Sequence, residues 1–141
     1  MDSALLDSSV YISAFRSPDT ALAVERLVSD VKLWLSAVVL QELYAGALER
    51  DRYLVETLER RFSSEFRIVV PELDDWVQAG LVLARVATKH GYEKIGRSRL
   101  TNDALIAMSA ARTGIRVITC NARDFEKLAE FRPFRCQCVI L

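Results

Sequence analysis

Short apolar runs alternate with amphipathic segments along the chain, and this alternation predicts strands that take turns with helices. Strands are expected over residues 4–6, 32–36, 67–70, 116–120 and 134–141. Helices are expected over residues 8–16, from about 18 onward, from 37 to about 50, and over 51–66, 73–90 and about 102–113. The order predicts an α/β fold, a three-layer α/β/α sandwich with a central, mostly parallel sheet.

One segment, residues 91–101, departs from this alternation. It holds two glycines and shows no clear period, which predicts a loop. The segment contains three basic residues, Lys94, Arg97 and Arg99, but only one acidic residue, Glu93. It is the one concentrated basic patch of the sequence. The patch is a candidate contact for the backbone of a nucleic acid, and the alternative is an ordinary solvated surface segment.

Composition and charge limit the classes of function. The 141 residues fit a single domain over 1–141, and 51% hydrophobic residues are enough for a sizeable core. Lys and Arg number 19, as do Asp and Glu, so the net charge is zero. Since bulk electrostatic attraction to nucleic acid needs a basic chain, any such contact has to come from a local patch.

The cysteines and the apolar runs indicate the cellular compartment of the protein. Cys120, Cys136 and Cys138 contain no C-x-x-C pair, so we interpret them as small buried hydrophobic residues in a reducing compartment. We see no signal peptide, and no segment approaches the ~20 apolar residues that span a bilayer. A soluble, cytoplasmic protein is expected.

Three acidic residues lie at positions where a charged side chain is unexpected, at the end of an apolar strand or among apolar helical neighbours. Asp7 ends the first apolar strand, and ligands of open α/β sheets bind beyond such ends; the alternative is a helix N-cap. Glu42 has apolar or small helical neighbours, where a carboxylate is costly unless it is paired or binds a metal; the alternative is a salt bridge. Asp103 shares a face with apolar residues of a helix that reads as buried, and its alternative is an interaction with the helix dipole.

Asn121 and Asp124 follow the fourth predicted strand, although a polar turn would also explain them. Because the carboxyl ends of parallel strands meet at one edge of a sheet, these side chains and the three acids are expected to converge. Clustered carboxylates cannot all remain ionised without compensation, which a divalent cation provides. Oxygen ligands without His or Cys favour Mg²⁺ or Mn²⁺ over zinc.

Four stretches of the sequence, residues 6–12, 36–46, 100–107 and 117–125, resemble the four motifs of PIN domains. They are most similar to the VapC type of bacterial and archaeal toxin, and together they cover nearly the whole chain. By this resemblance Asp7, Glu42 and Asp103 match the acidic residues of the family's metal site. The fourth position departs from the pattern, since Asn121 follows the strand and Asp124 comes three residues later.

The resemblance implies Mg²⁺- or Mn²⁺-dependent hydrolysis of RNA phosphodiesters, a partner antitoxin and a homodimer. It implies that Asp7 and Asp103 hold one ion, and that Glu42 holds a second ion or acts through water. By the same resemblance Asn121 or Asp124 would complete the metal shell, and which of the two does so stays open. Ser8 and Thr119 match hydroxyl residues that orient the carboxylates.

Three other functions stay open at this point. A phosphatase of the haloacid dehalogenase type also begins with an Asp after its first strand, but it needs a second Asp where this chain has Ser9. A non-catalytic PIN-like module would bind protein or RNA without cutting it. A housekeeping RNA-processing nuclease would share every residue with a toxin, and the RNA target, antitoxin and oligomeric state are not encoded in any motif.

Overall fold

The computed structural model describes residues 1–91 and 100–141. Its strands are β1 (Asp2–Leu6), β2 (Val31–Ser36), β3 (Ile68–Val69), β4 (Arg116–Thr119) and β5 (Cys136–Cys138). Its helices are α1 (Ser8–Arg16), α2 (Pro18–Leu27), α3 (Ala37–Gly46), α4 (Arg52–Ser64), α5 (Leu73–His90), α6 (Leu100–Thr113) and α7 (Arg123–Ala129). A 3₁₀ turn at Glu49–Asp51 precedes α4.

The five strands form one sheet in the order β3-β2-β1-β4-β5, and every neighbouring pair is parallel. The chain leaves β1 toward one edge through β2 and β3, and then crosses to β4 and β5 on the other side. The strand order therefore reverses between β1 and β4. In open parallel sheets this reversal opens a crevice at the carboxyl ends of the two strands, where ligands bind.

Burial along β1 explains the layers. Ala4, Leu5 and Leu6 are consecutive and all buried, although successive side chains of a strand point to opposite faces. Both faces of the sheet are therefore covered by helices, as parallel sheets require. The predicted α/β/α sandwich is confirmed, and its sheet is parallel throughout the described residues.

Several predicted boundaries shift. Helix α3 ends at Gly46 instead of near residue 50, because Ala47 adopts an extended conformation (φ −73°, ψ 135°) and the 3₁₀ turn follows. Helix α6 begins at Leu100, so the last two residues of the predicted loop are helical. The last strand covers only Cys136–Cys138 of the predicted 134–141.

The prediction that the cysteines are buried is wrong for two of them. Cys136 and Cys138 are exposed, and Cys120 is partly buried. The physical reason is that β5 is an edge strand, so its side chains lack the cover that the central strands receive.

No helix within residues 1–91 and 100–141 has the length and apolar character needed to cross a membrane.

Candidate active site

A cleft of about 530 Å³ lies at the carboxyl ends of β1 and β4, where the strand order reverses. All five residues predicted for the site from their acidic or amide side chains line it, namely Asp7, Glu42, Asp103, Asn121 and Asp124. The topology explains the convergence, because β1, β4 and the helices beside them end or begin at this edge of the sheet. The remaining lining residues among those described are Ser8, Ser9, Ile12, Ser13 and Arg16.

Two hydrogen bonds fix the side chain of Asp7. It follows β1 at the N-cap position of α1, but its side chain makes no capping hydrogen bond. Its Oδ2 atom instead accepts hydrogen bonds from Ser9 Oγ and Thr119 Oγ1, each at 3.0 Å. The carboxylate is only 7% exposed. The simple capping alternative therefore does not describe this side chain.

The two hydroxyls that bind Asp7 are themselves held by the backbone after β4. The Cys120 amide donates to Ser9 Oγ at 3.2 Å, and the Asn121 amide donates to Thr119 Oγ1 at 3.0 Å. The Asp7 amide also donates to the Ile118 carbonyl at 2.9 Å, which continues the pairing of β1 with β4. Because these contacts cross between the strands, the orientation of Asp7 depends on the β1–β4 pairing.

The serine that binds Asp7 differs from the one expected. Thr119 takes the orienting position that the sequence assigned to it, but the second hydroxyl belongs to Ser9. Ser8 is buried and lines the same cleft. In the first turn of α1, adjacent residues point about 100° apart, so the first turn places one serine and not the other beside the carboxylate.

Glu42 reaches the cleft from α3, which begins directly after β2. Ser36, buried at the end of β2, accepts hydrogen bonds from the amides of Val38 and Val39 and fixes the start of this helix. Glu42 is partly buried. Gly46, four residues later on the same helix, leaves open space, since a Cβ atom there would meet no other atom within 4 Å.

Asp103 lies in the first turn of α6, and the residues that follow it are buried almost without interruption. Its side chain is partly buried and faces the cleft with Asp7 and Glu42. An interaction with the helix dipole accounts for an acid near this terminus, but it does not account for the position of Asp103 on the side that faces two other carboxylates.

Asn121 and Asp124 both line the cleft, so the structure places both candidates for the fourth position there. Asn121 is exposed, and Asp124 is partly buried in the first turn of α7. Lys127 Nζ lies 3.8 Å from Asp124 Oδ1 and offsets part of its negative charge. The N-cap of α7 is Ala122, so neither residue serves as the cap.

One face of α1 contributes residues that the sequence reasoning missed. Ser9, Ile12, Ser13 and Arg16 line the cleft together. Their spacing of three or four residues puts them on one side of a helix, and this period was the available signal. This period did not indicate a functional site, because three of the four residues are small or apolar and such residues occur on any buried helix face.

Negative charge dominates the cleft. Among the residues that the structure describes, Arg16 is the only basic side chain that lines it, opposite four carboxylates. The field also acts on a neighbouring thiol: burial raises the pKa of Cys120, and the charge of Asp7 raises it further, while a hydrogen bond with Ser9 acts in the opposite direction.

The donor set fits a hard divalent cation. Carboxylate and amide oxygens without imidazole or thiolate ligands are what Mg²⁺ and Mn²⁺ prefer. Within residues 1–91 and 100–141, no three acidic, His or Cys side chains are already close enough to enclose an ion. An ion would therefore have to draw these side chains together, which is consistent with the mutual repulsion of ionised carboxylates.

The predicted RNA-binding residues Lys94, Arg97 and Arg99 lie outside the described residues.

The sequence matches the PIN domain family over residues 4–131. Among curated protein sequences, none matches the chain. The family match decides against the phosphatase alternative, since it covers most of the chain and includes every candidate site residue.

Solved structures with the same fold come from VapBC complexes. A DNA-bound VapBC from Salmonella typhimurium aligns with a TM-score of 0.72 at 23% identity, covering 98% of both chains. VapBC2 from Rickettsia felis, bound to a promoter DNA fragment, gives 0.62 at 18% identity over 97% of this chain and 98% of that one. VapBC-5 from Mycobacterium tuberculosis, described as a toxin-antitoxin system, gives 0.54 at 22% identity over 99% and 100%.

Proposed function

The chain belongs to the PIN domain family, and on that premise we propose that it is a metal-dependent endoribonuclease that hydrolyses RNA phosphodiesters. We further propose that it is the toxin of a type II toxin–antitoxin pair and that it acts in the cytoplasm. The observation that carries the nuclease proposal is the convergence of Asp7, Glu42, Asp103 and Asp124 on one cleft. The similarity to VapBC structures supports the toxin assignment.

The carboxylates would hold the metal in different ways. Asp7 and Asp103 would hold the first ion, and Glu42 would hold a second ion or act on a water molecule as a base. Asn121 and Asp124 would complete the shell. When bound, Mg²⁺ or Mn²⁺ supplies an activated water and neutralises the charge that develops on the phosphate.

The hydroxyl pair of Ser9 and Thr119 prepares Asp7 for this role. Both donate to Oδ2, so the carboxylate is held in one orientation and neither hydroxyl occupies Oδ1. Groups that hold a metal ligand in place in this way typically contribute 10- to 100-fold to metal affinity or activity. Arg16 stands at the same cleft as a cation suited to a phosphate oxygen of the substrate.

Cleavage of structured RNAs by purified, partner-free protein tests the proposal. We expect cleavage in Mg²⁺ or Mn²⁺, none in EDTA, and a loss of about a thousandfold in Asp103→Asn because one metal ligand loses its charge. Asp74→Asn is the matched control. Asp74 is exposed on α5 and does not line the cleft, so this variant should cut at the rate of the wild type.

Other outcomes separate the alternatives. Cleavage that persists in Asp103→Asn would identify a contaminating nuclease. No cleavage, together with no thermal stabilisation by Mn²⁺, would contradict the metal-site proposal and favour a non-catalytic binding module. A short antitoxin reading frame beside the gene separates a toxin from a housekeeping nuclease.

A groove between α1, α2 and α4 is our candidate surface for the antitoxin. It measures about 350 Å³ and is lined mostly by apolar side chains. The Tyr11 hydroxyl lies in its wall, and within the described part of the chain it has no hydrogen-bond partner. Burial raises the pKa of Tyr11 and leaves its hydroxyl out of a partner's reach, so a partner would contact the apolar lining of the groove instead.

The antitoxin contact predicts a measurable loss. Ala21→Asp should weaken antitoxin binding about tenfold, because it places a charge in the apolar groove. Tyr53→Asp, which places the same charge at an exposed position of α4 outside the groove, should leave the affinity unchanged. Equal affinities for all three proteins would show that the partner docks elsewhere.

A homodimer is the remaining part of the proposal, and α5 offers the surface. Leu73, Trp76, Val77 and Leu81 recur at helical spacing and are all at least half exposed, with Trp76 at 57%. Exposed apolar stripes of this kind mark protein contacts. Trp76→Glu should therefore yield monomers in light scattering, whereas Tyr53→Glu should not; a wild type that is monomeric at every concentration would contradict the dimer.

A further inference from the structure

A second, smaller pocket adjoins the acidic cleft. It has a volume of about 150 Å³ and shares three lining residues with the cleft: Ile12, Arg16 and Glu42. The two spaces are therefore neighbours, and these three residues form the wall between them. A molecule that places a phosphate in the cleft has an adjoining part within reach of this pocket.

The character of the pocket differs from that of the cleft. Its remaining lining is mostly apolar, from Phe15, Leu43, Gly46, Ala47 and Leu48. The early end of α3 produces this lining, because the extended Ala47 and the 3₁₀ turn take the chain away from the helix axis. An apolar compartment beside a charged one suits a ligand with a flat apolar body and an attached anion.

The volume limits what can enter. An apolar cavity of about 150 Å³ is known to accept one aromatic ring of benzene size. A helix or a strand of a partner protein cannot enter a space of that size. A single nucleobase can, and aromatic side chains such as Phe15 are common stacking partners for unpaired bases in RNA-binding proteins.

Asp51 supplies a polar end to the pocket. It ends the 3₁₀ turn and precedes α4, but its side chain makes no capping hydrogen bond with that helix. A carboxylate accepts hydrogen bonds and donates none. It therefore favours bases that present amino hydrogens, above all guanine with its adjacent N1–H and N2–H donors, over uracil.

We propose that this pocket binds one unpaired nucleobase next to the scissile phosphate of the RNA and prefers a base that carries an amino group. The proposal rests on the proposed nuclease function for the identity of its substrate. Arg16 sits at the junction of pocket and cleft and contacts the phosphate that links the bound base to the reaction centre. Within the described residues, Arg16 makes no ion pair shorter than 4 Å that would compete.

A filling variant tests the pocket directly. A Cβ atom at Gly46 would meet no atom within 4 Å, and Gly46 lines the pocket, so Gly46→Leu has room to start its side chain there and fills part of the pocket. Ala45→Leu is the matched control. It adds a leucine at the neighbouring position of the same helix, where the residue is exposed and lines neither the pocket nor the cleft.

The first measurement is an NMR titration of the methyl groups of Ile12, Leu43 and Leu48 with guanosine 5′-monophosphate and uridine 5′-monophosphate. We expect saturable shifts with a Kd about tenfold lower for the guanosine nucleotide, which is the discrimination that one paired polar contact gives. The shifts should vanish in Gly46→Leu and persist in Ala45→Leu. Absence of saturable shifts, or equal shifts in Gly46→Leu, would overturn the proposal, as would shifts produced only by a protein partner.

The second measurement separates this proposal from the nuclease function. Sequencing of the ends released from a randomised single-stranded RNA pool should show enrichment of amino-bearing bases at one position beside the cut. Asp51→Asn should weaken that enrichment. An enzyme that cuts without a preference at any position would overturn the pocket and leave the nuclease function intact. A protein that binds the guanosine nucleotide in the pocket but never cuts RNA would contradict the nuclease function alone.

Discussion

Asp7 and Asp75 are both buried carboxylates, but their partners differ in kind. Asp75 in α5 is 1% exposed, and Arg112 Nε donates to both of its oxygens at 3.0 Å while the Glu72 amide donates to Oδ2 at 2.9 Å. One oxygen of Asp7 accepts hydrogen bonds from two neutral hydroxyls, and Asp7 forms no ion pair with any of the described residues. The charge of Asp75 is thus balanced within the chain, and that of Asp7 is available to a ligand.

This difference distinguishes a carboxylate that holds the fold together from one that performs chemistry. Burial alone does not make the distinction, because both side chains are nearly inaccessible. The partners decide: a buried charge with a cationic partner stabilises an arrangement of helices, here α5 against α6. A buried charge held by hydroxyls is oriented without being neutralised, which is what a metal ligand needs.

The largest expected effect is on cleavage by Asp7→Asn. Replacing the charged oxygen should lower the rate of RNA cleavage about a thousandfold, roughly 4 kcal/mol in the barrier. The unfolding free energy without metal should stay the same or rise, because one charge leaves a cluster of like charges. Single-turnover kinetics and denaturant titration in EDTA measure the two quantities. A large loss of stability would place Asp7 in the same class as Asp75.

Asp75→Asn should have the opposite profile. It leaves the partly buried Arg112 with only the exposed Glu72, 3.5 Å away, as a charged partner and weakens the start of α5, so we expect a loss of about 2–3 kcal/mol in unfolding free energy. Cleavage per folded molecule should not change. Urea denaturation followed by a rate measurement on the folded fraction tests both statements. A cleavage defect at unchanged stability would break the distinction drawn above.

Thr119→Val tests how much one of the two hydroxyls that bind Asp7 contributes. The variant keeps the shape of a fully buried side chain but removes one of the two donors to Asp7 Oδ2. Affinity for Mn²⁺ should fall about tenfold, and stability should fall by about 1 kcal/mol. Calorimetric titration with Mn²⁺ gives the affinity. Val117→Ile, on the same strand, serves as a control for changes in packing alone.

The smallest effect concerns a carboxylate outside the cleft. Tyr44 donates to Glu59 at 2.6 Å, and this hydrogen bond, with burial, raises the pKa of Tyr44 to about 12. The raised value means that the contribution to stability is complete below the unfolded pKa near 10 and is lost as the pH rises toward 12. Ultraviolet titration should show the late ionisation of Tyr44 in addition to that of Tyr11, and Tyr44→Phe should leave only that of Tyr11. Added Mn²⁺ should not move this transition, because Glu59 does not line the cleft.

The sequence predicted those parts of the site that leave a local signal. Asp7 interrupts an apolar run, and Asp103 is an isolated charge in an apolar helix, so both could be found by pattern alone. Thr119 was found through the family resemblance. Ser9 and Arg16 carry a helical period that was visible but not distinctive. Both predicted and observed boundaries of α1 and α5 coincide, since each helix is amphipathic along its whole length.

Other features leave no local signal. The ion pair of Asp75 and Arg112 joins residues that are 37 positions apart, and each looks like an ordinary polar residue near a helix end. The strand order also cannot be derived from periodicity, because every strand of a parallel sheet has a similar apolar pattern. The early end of α3 follows from the extended backbone at Ala47, a residue that favours helices on its own.

The pairing of β1 with β4 has a consequence for the timing of synthesis. Asp7 and Thr119 are 112 residues apart, so a ribosome has made most of the chain before these two can meet. Domains fold as units while they emerge, and contacts between distant residues form late. A nascent chain arrested before β4 should therefore hold three of the acids without the hydroxyl clamp, and it should cut no RNA. Stalled chains in which β4 is still inside the ribosomal tunnel, compared with chains extended by a C-terminal linker so that β4 has emerged, would show whether this delay protects the cell during translation.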